Sequence, residues 1–167
     1  MKRIVIQTPG RLHFGLIDMN GEIGRIDGGI GLALDVPYTQ IEAKRSDGVQ
    51  VVCEEDEEIG DRLEHAVHAV CNAYDLPGAS VAIQERPLAH VGLGSATQTL
   101  VGAAQAVCRL YELEKPVLEL GRLVGRGGTS GIGIGAIESG GFIVDGGHRF
   151  RRGERARWRV RLLRLGL

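Results

Sequence analysis

Aromatic side chains are scarce in this chain: one Trp, three Tyr and three Phe among 167 residues, or 4%. A nucleic-acid binder that stacks bases on a row of rings is therefore disfavoured over most of its length. Cysteine is also sparse. Cys53, Cys71 and Cys108 stand far apart with no CxxC spacing. That excludes a disulfide framework and the common zinc patterns, and it fits a reducing, cytoplasmic setting. No apolar run approaches the length of a membrane span, so a membrane is not an expected partner. The opening MKRIVIQTPG carries a basic pair, but its apolar run is too short for a signal peptide. Lysine occurs only at Lys2, Lys44 and Lys115, none of them after a glycine. The Gly-Lys-Ser/Thr phosphate loop is thereby ruled out.

What is abundant is glycine, with 26 residues, much of it in clusters. Clustered glycine lets backbone approach a ligand or another segment closely, and it also makes ordinary tight turns. With 43% hydrophobic residues the chain has enough apolar mass for one folded domain. The net charge of −1 hides an asymmetry. Residues 149–167 hold eight arginines and one glutamate, whereas the remainder holds 12 basic and 20 acidic residues. Such a break suggests a tail of separate origin or separate work.

Apolar patterning predicts strands over 2–8, 22–35 (with a glycine turn or bulge), 38–45 and 49–54, with Ser46-Asp47-Gly48 as a hairpin turn between the last two. A helix is expected over 60–75 from the stripe Leu63, Ala66, Val67, Val70 and Tyr74, stopped by Pro77-Gly78. A strand over 79–85 and a second helix over 95–113 follow. Pro116 opens a third helix to about Val124; a short helix covers 132–139 and a strand 140–147. Strands first and then alternating helix and strand predict an α+β two-layer sandwich.

HVGLGSATQ, at His90–Gln98, raises the main chemical question. A helix N-terminus leaves backbone N–H groups unpaired and carries partial positive charge, so phosphate binds there readily. Gly92, Gly94, Ser95, Ala96 and Thr97 are the candidate phosphate-binding residues; a plain helix cap by Ser95 fits the motif equally well. The dinucleotide pattern fails, because Thr97 stands where its third glycine belongs.

GLGSAT resembles the phosphate loop of the GHMP kinase superfamily. TPGRLHFGLIDMNGEIGRIDGGIGLAL resembles that superfamily's opening motif, and GTSGIGIGAIESGGF its closing glycine-rich motif, in the same order. The resemblance implies the fold known as ribosomal protein S5 domain 2-like. More narrowly, RLHFGLIDMNG, GRIDGGIGLALD and GRGGTSGIGIGAIESGGFIVDGGH are similar to the beta-ribofuranosylaminobenzene 5'-phosphate synthases of methanopterin biosynthesis. The likeness covers about residues 1–148. It implies transfer of phosphoribose from phosphoribosyl diphosphate to 4-aminobenzoate or 4-hydroxybenzoate, with loss of carbon dioxide and diphosphate. It also implies a second domain, beyond the stretch represented here, and Mg²⁺ carried by the diphosphate. Where the kinases place a catalytic aspartate this chain has Gly133, which disfavours phosphorylation of a hydroxyl by ATP.

A second nest, Gly128, Thr129, Ser130 and Gly131, is a candidate for the 5'-phosphate or a share of the diphosphate. Asp18, Arg25 and Asp27 are the candidate catalytic residues, the acids for Mg²⁺ through the diphosphate or for the proton of the ring's amino group, and the guanidinium for a carboxylate or phosphate. Asp18 fits an ordinary aspartate turn equally well. Arg11 and His13 are candidate substrate-binding residues, with a structural ion pair and a core histidine as their bland readings. His90 and His148 are weaker candidates; His65, His68 and Cys71 read as a solvated helix face, and Glu54–Glu58 as a solvated loop. The partners expected are small-molecule substrates and a homodimer. Residues 149–167 are read first as an out-of-frame end, then as an amphipathic strand, and last as a nucleic-acid arm.

Overall fold

The computed structural model describes residues 2–22, 24–53, 56–88, 91–149 and the backbone of 162–164. Strands β1 (Arg3–Gly15), β2 (Arg25–Ile26), β3 (Gly29–Arg45) and β4 (Gln50–Val52) come first. Helix α1 (Glu57–Ala73), strand β5 (Ala79–Glu85), and helices α2 (Ser95–Leu110), α3 (Val117–Leu123) and α4 (Ile132–Ser139) follow. Strands β6 (Phe142–Asp145), β7 (His148–Arg149) and β8 (Leu162–Arg164) complete the order. One sheet runs β4-β5-β3-β6-β8, with β1 on the other side of β3; β2 and β7 form a separate ribbon. The core joins Ile41, Ala43 and Val81 of the sheet to Leu63, Val67 and Val70 of α1 and Ala103, Val107 and Leu110 of α2. A smaller cluster packs Ile132 and Ala136 of α4 on Ile143. This is the expected α+β sandwich.

Three boundaries differ from the expectation, each for a physical reason. First, 29–35 and 38–45 form one strand of 17 residues, because β1 pairs with both stretches across a register shift at Pro9/Gly10. Residues 25–26 are a separate strand, cut off by Asp27 in a left-handed conformation (φ 62°). Second, Ser46-Asp47-Gly48 does not close a hairpin. β5 lies between β3 and β4, and β4 runs parallel to β5 with α1 as the crossover. A Cβ on Gly78 would lie 2.5 Å from the Gly48 backbone, so the two connections pass in direct contact. Third, α1 starts early. Asp56 caps it by accepting from the Ile59 N–H at 3.1 Å, and Glu57 and Glu58 occupy the positive first turn instead of a loop. Glu54 and Glu55 lie outside the described residues.

The shift at Pro9/Gly10 matters for the site. Ile4 and Ile6 pack on the core, and Thr8 donates to the Gln98 carbonyl of α2 at 3.1 Å. Beyond the shift the alternation changes phase, so that Arg11 and His13 now face the helix starts. Leu12 and Phe14 are turned to the exposed face. In the tail, the backbone of Leu162–Arg164 pairs antiparallel with β6; the rest of the arginine-rich stretch beyond Arg149, where the alternation was read, lies outside the described residues.

Candidate functional site

The loop before α2 is held in shape by β1. The Arg11 N–H donates to the Leu93 carbonyl at 3.1 Å, and Arg11 Nη1 to the Gly92 carbonyl at 2.7 Å. Gly94, not Ser95, is the cap residue, in a left-handed conformation (φ 75°, ψ 22°). A side chain there would meet strain and also the Arg11 guanidinium, whose Cζ lies 2.7 Å from the ideal Cβ position. The Thr97 N–H is taken by the Gly94 carbonyl at 3.0 Å. The amides of Ser95 and Ala96, first in the helix, have no intrahelical acceptor. The turn therefore leaves these two amides and the Thr97 hydroxyl open to an acceptor from outside the helix, rather than every amide from Gly94 to Thr97.

They open on a pocket of about 260 Å³. Four arginines line it: Arg11 from β1, Arg62 from α1, Arg86 after β5 and Arg126 after α3. Asp56 and Glu58 are its carboxylates. Arg86 pairs with Asp56 at 2.9 Å and Arg62 with Glu58 at 3.4 Å. Arg11 and Arg126 have no carboxylate partner among the described residues. Burial lowers the pKa of both guanidiniums, and Arg62 and Arg11 push Arg126 further the same way. Such a crowd of cations over a helix start attracts a multiply charged anion. Arg62, Arg86 and Arg126 were not expected from the sequence. They come from three distant segments with no common motif, although Arg126, set between Gly125 and Gly127, was a visible hint.

The second glycine loop is occupied from within. Asp145, fully buried, accepts from the Gly131 N–H at 2.6 Å and from the Gly147 N–H at 3.0 Å. Its carboxylate thus takes the Gly131 amide expected for a phosphate. Gly128 and Thr129 lie on the same turn, and Ser130 Oγ sits 3.4 Å from His13 Nε2 while accepting from the Ile132 N–H at 3.3 Å. Burial and the charge of Arg11 lower the His13 pKa, against an opposing pull from Asp145.

The first motif folds into its own ribbon. Asp18 Oδ1 accepts from the Asn20 and Gly21 N–H groups at 2.9 Å, an aspartate turn. Its N–H donates to the Asp27 carbonyl at 3.1 Å, so the two acids face each other across a β-bridge. Arg25 donates from Nε and Nη2 to the Gly146 and Gly147 carbonyls, tying the ribbon to the Asp145 turn. His148 is buried beside Asp27, 4.0 Å away. None of these lines the arginine pocket; among the described residues of the first motif only Arg11 does. His65 Nδ1 lies 2.7 Å from the Asp61 carbonyl and His68 3.8 Å from Glu64, on an exposed helix face. His90 lies outside the described residues. Among the described residues no three His, Cys, Asp or Glu side chains converge to hold a metal, and no helix is long and apolar enough to cross a membrane.

Gly133 lies buried in the first turn of α4, and an ideal Cβ there would stand 3.0 Å from the Thr97 methyl. The position that holds an acid in the resembled kinases is here packed against Thr97, in the first turn of α2.

The model of the GHMP kinases N terminal domain matches residues 61–141. The chain is 42% identical over 161 residues to the beta-ribofuranosylphenol 5'-phosphate synthase of Methanocaldococcus jannaschii, covering 90% of this chain and 49% of that protein. It is 42% identical over 143 residues to the enzyme of the same name from Archaeoglobus fulgidus, covering 86% and 45%. The phosphomevalonate kinase of Streptococcus pneumoniae shares the fold at TM-score 0.65 and 19% identity, covering 89% of this chain and 49% of that one. The chain thus spans about half the length of the curated relatives it matches. It is thus similar over most of its length to beta-ribofuranosylphenol 5'-phosphate synthases, and its residues 61–141 match the N-terminal domain of the GHMP kinases.

Proposed function

We propose that this domain binds phosphoribosyl diphosphate for transfer of phosphoribose to 4-hydroxybenzoate or 4-aminobenzoate, within methanopterin biosynthesis. The observation that carries the reading is the pocket in which four arginines surround the free amides of Ser95 and Ala96. A product named ribofuranosylphenol 5'-phosphate, as in the relatives, requires a sugar donor with a 5'-phosphate and a good leaving group at its anomeric carbon. Diphosphate is such a group.

As the anomeric C–O bond breaks, the electron pair leaves with diphosphate, and charge grows on its oxygens. Ser95, Ala96, Arg11 and the neighbouring guanidiniums would stabilise that charge from fixed positions. The ring carbon bearing the carboxylate attacks the anomeric carbon, and carbon dioxide departs with its bond pair returned to the ring. A base that takes the 4-hydroxyl proton during attack raises the ring's nucleophilicity, and the proton returns afterwards. Asp18 and Asp27, joined across their bridge, are the proposed acids for that proton. Arg25, its guanidinium engaged by two carbonyls, is proposed to hold the ribbon in place. Gly128, Thr129 and Ser130, with His13 beside them, are proposed for the 5'-phosphate.

Mg²⁺ enters only as a counterion of the ligand. Asp56 and Glu58 are each engaged by an arginine, so the pocket offers no cage for a metal, and a bound Mg²⁺ would keep mostly phosphate and water oxygens. A cytoplasmic setting and a homodimer belong to the same proposal. The buried contact of Gly133 with Thr97 speaks against a small-molecule kinase.

Calorimetric titration of the whole chain with phosphoribosyl diphosphate and Mg²⁺, beside ATP, tests the reading. Saturable heat with the sugar diphosphate, lost in Arg11→Ala, is expected. Heat with ATP alone, together with ADP release in the presence of an alcohol, would overturn it.

A further inference from the structure

We infer that Arg126 is a positioning residue that turns the Thr97 hydroxyl into an obligate proton donor for a ligand phosphoryl oxygen. The inference rests on the diphosphate reading of the pocket and goes one atom deeper.

Arg126 donates to Thr97 Oγ1 twice, from Nε at 3.0 Å and from Nη2 at 2.8 Å. A threonine hydroxyl has two acceptor lone pairs and one proton. Both lone pairs are thereby used. The proton has no acceptor among the described residues. A threonine in a helix ordinarily donates to the carbonyl four residues back. Here that carbonyl belongs to Leu93 and is engaged by the Arg11 N–H at 3.1 Å. Thr97 is only 8% exposed, yet it lines the pocket. A buried hydroxyl proton without an acceptor is costly unless something arrives to take it.

The rotamer is fixed from the other side as well. The Thr97 methyl packs on Gly133, where any side chain would begin 3.0 Å away. Methyl to Gly133 and oxygen to Arg126 leave the hydroxyl hydrogen the pocket as its outlet. A group that can only donate selects a ligand atom that can only accept. An ionised phosphoryl oxygen fits; a ligand hydroxyl or amine with its own proton to place fits less well. The same two guanidinium bonds keep Arg126 over the helix start, where its charge adds to the field.

The test is a double-mutant cycle read by titration of the full chain with inorganic pyrophosphate, each variant checked by thermal melting. Thr97→Val keeps the shape and removes the hydroxyl; a loss of about tenfold in affinity is expected. Thr97→Ser restores the proton and is expected to stay within about threefold of wild type. Arg126→Met should weaken binding when Thr97 is present and add less than about twofold in the Thr97→Val background. Additive losses would overturn the inference, since Arg126 would then act on the ligand independently of Thr97. Wild-type affinity in Thr97→Val would overturn it too. Should valine prevent folding, Thr97→Ala takes its place in the same cycle. Failure of the wild-type chain to bind pyrophosphate would instead defeat the diphosphate reading, and with it this one.

Discussion

Helices α2 and α4 both start from glycine-rich turns against the same end of β1, Arg11 serving one and His13 the other. The α4 turn has its anion built in. Asp145, with no exposed surface, spans the Gly131 and Gly147 amides. Among the described residues no carboxylate bonds to the amides of the α2 turn. The carboxylates nearby, Asp56 and Glu58, are paired with Arg86 and Arg62, and the first amides of the helix face a pocket with four arginines. Two similar stretches of sequence thus differ in what they meet: one is closed by a buried carboxylate and one opens on a pocket. A glycine loop at a helix start is therefore only half a statement about phosphate. The other half is whether the chain supplies its own acceptor.

Removing the internal anion breaks the comparison most severely. Asp145→Ala strands two buried N–H groups that bonded to a charge, and a loss of about 3 kcal/mol in chemical denaturation is expected. Added inorganic phosphate should recover part of it if the emptied turn then behaves like its neighbour. Next comes the ligand-facing turn. Gly94→Ala forces a left-handed backbone on alanine and displaces Arg11, with an expected cost of about 1–2 kcal/mol and a loss of pyrophosphate affinity above about tenfold, read by calorimetry. Gly133→Ala probes the place where the two turns touch. Alanine gains up to about 1 kcal/mol inside a helix, set against crowding of the Thr97 methyl. Melting temperature should therefore change little while pyrophosphate binding weakens, a split that a purely structural contact would not give.

The smallest effect concerns pH. The folded-state pKa of His13 is lowered below its ordinary 6.5 by burial and by Arg11. The unfolded chain then binds the proton more readily, so stability rises with pH in this range. Its contribution is fully present above about pH 6.5 and is lost as pH falls toward the lower folded value. His13→Gln should flatten that part of the stability profile, measured by denaturation between about pH 5 and 8.

Much of the sandwich was legible because apolar spacing reports local periodicity. The α1 stripe from Leu63 to Val70 is such a case. The order of strands was less so. Ser46-Asp47-Gly48 has hairpin chemistry, yet nothing local announces that β5 will insert between β3 and β4. The glycine turn at the start of α2 was readable as a motif. Three of the arginines around it were not, because Arg62, Arg86 and Arg126 meet only after α1, β5 and α3 have packed. Asp145 hid for the same reason, as an acid at the end of a short apolar strand. Asp18 matched its bland alternative, a self-bonded turn, while also facing Asp27.

Asp56 joins two tasks in one carboxylate: Oδ1 caps α1 through the Ile59 amide, and Oδ2 holds Arg86 at 2.9 Å. The start of that helix and the charge at the mouth of the cleft therefore rise and fall together. A brief fraying of one turn would loosen a cation beside an incoming anion. A guest that pulled Arg86 toward itself would, in the same motion, tug on the winding of the crossover between β4 and β5.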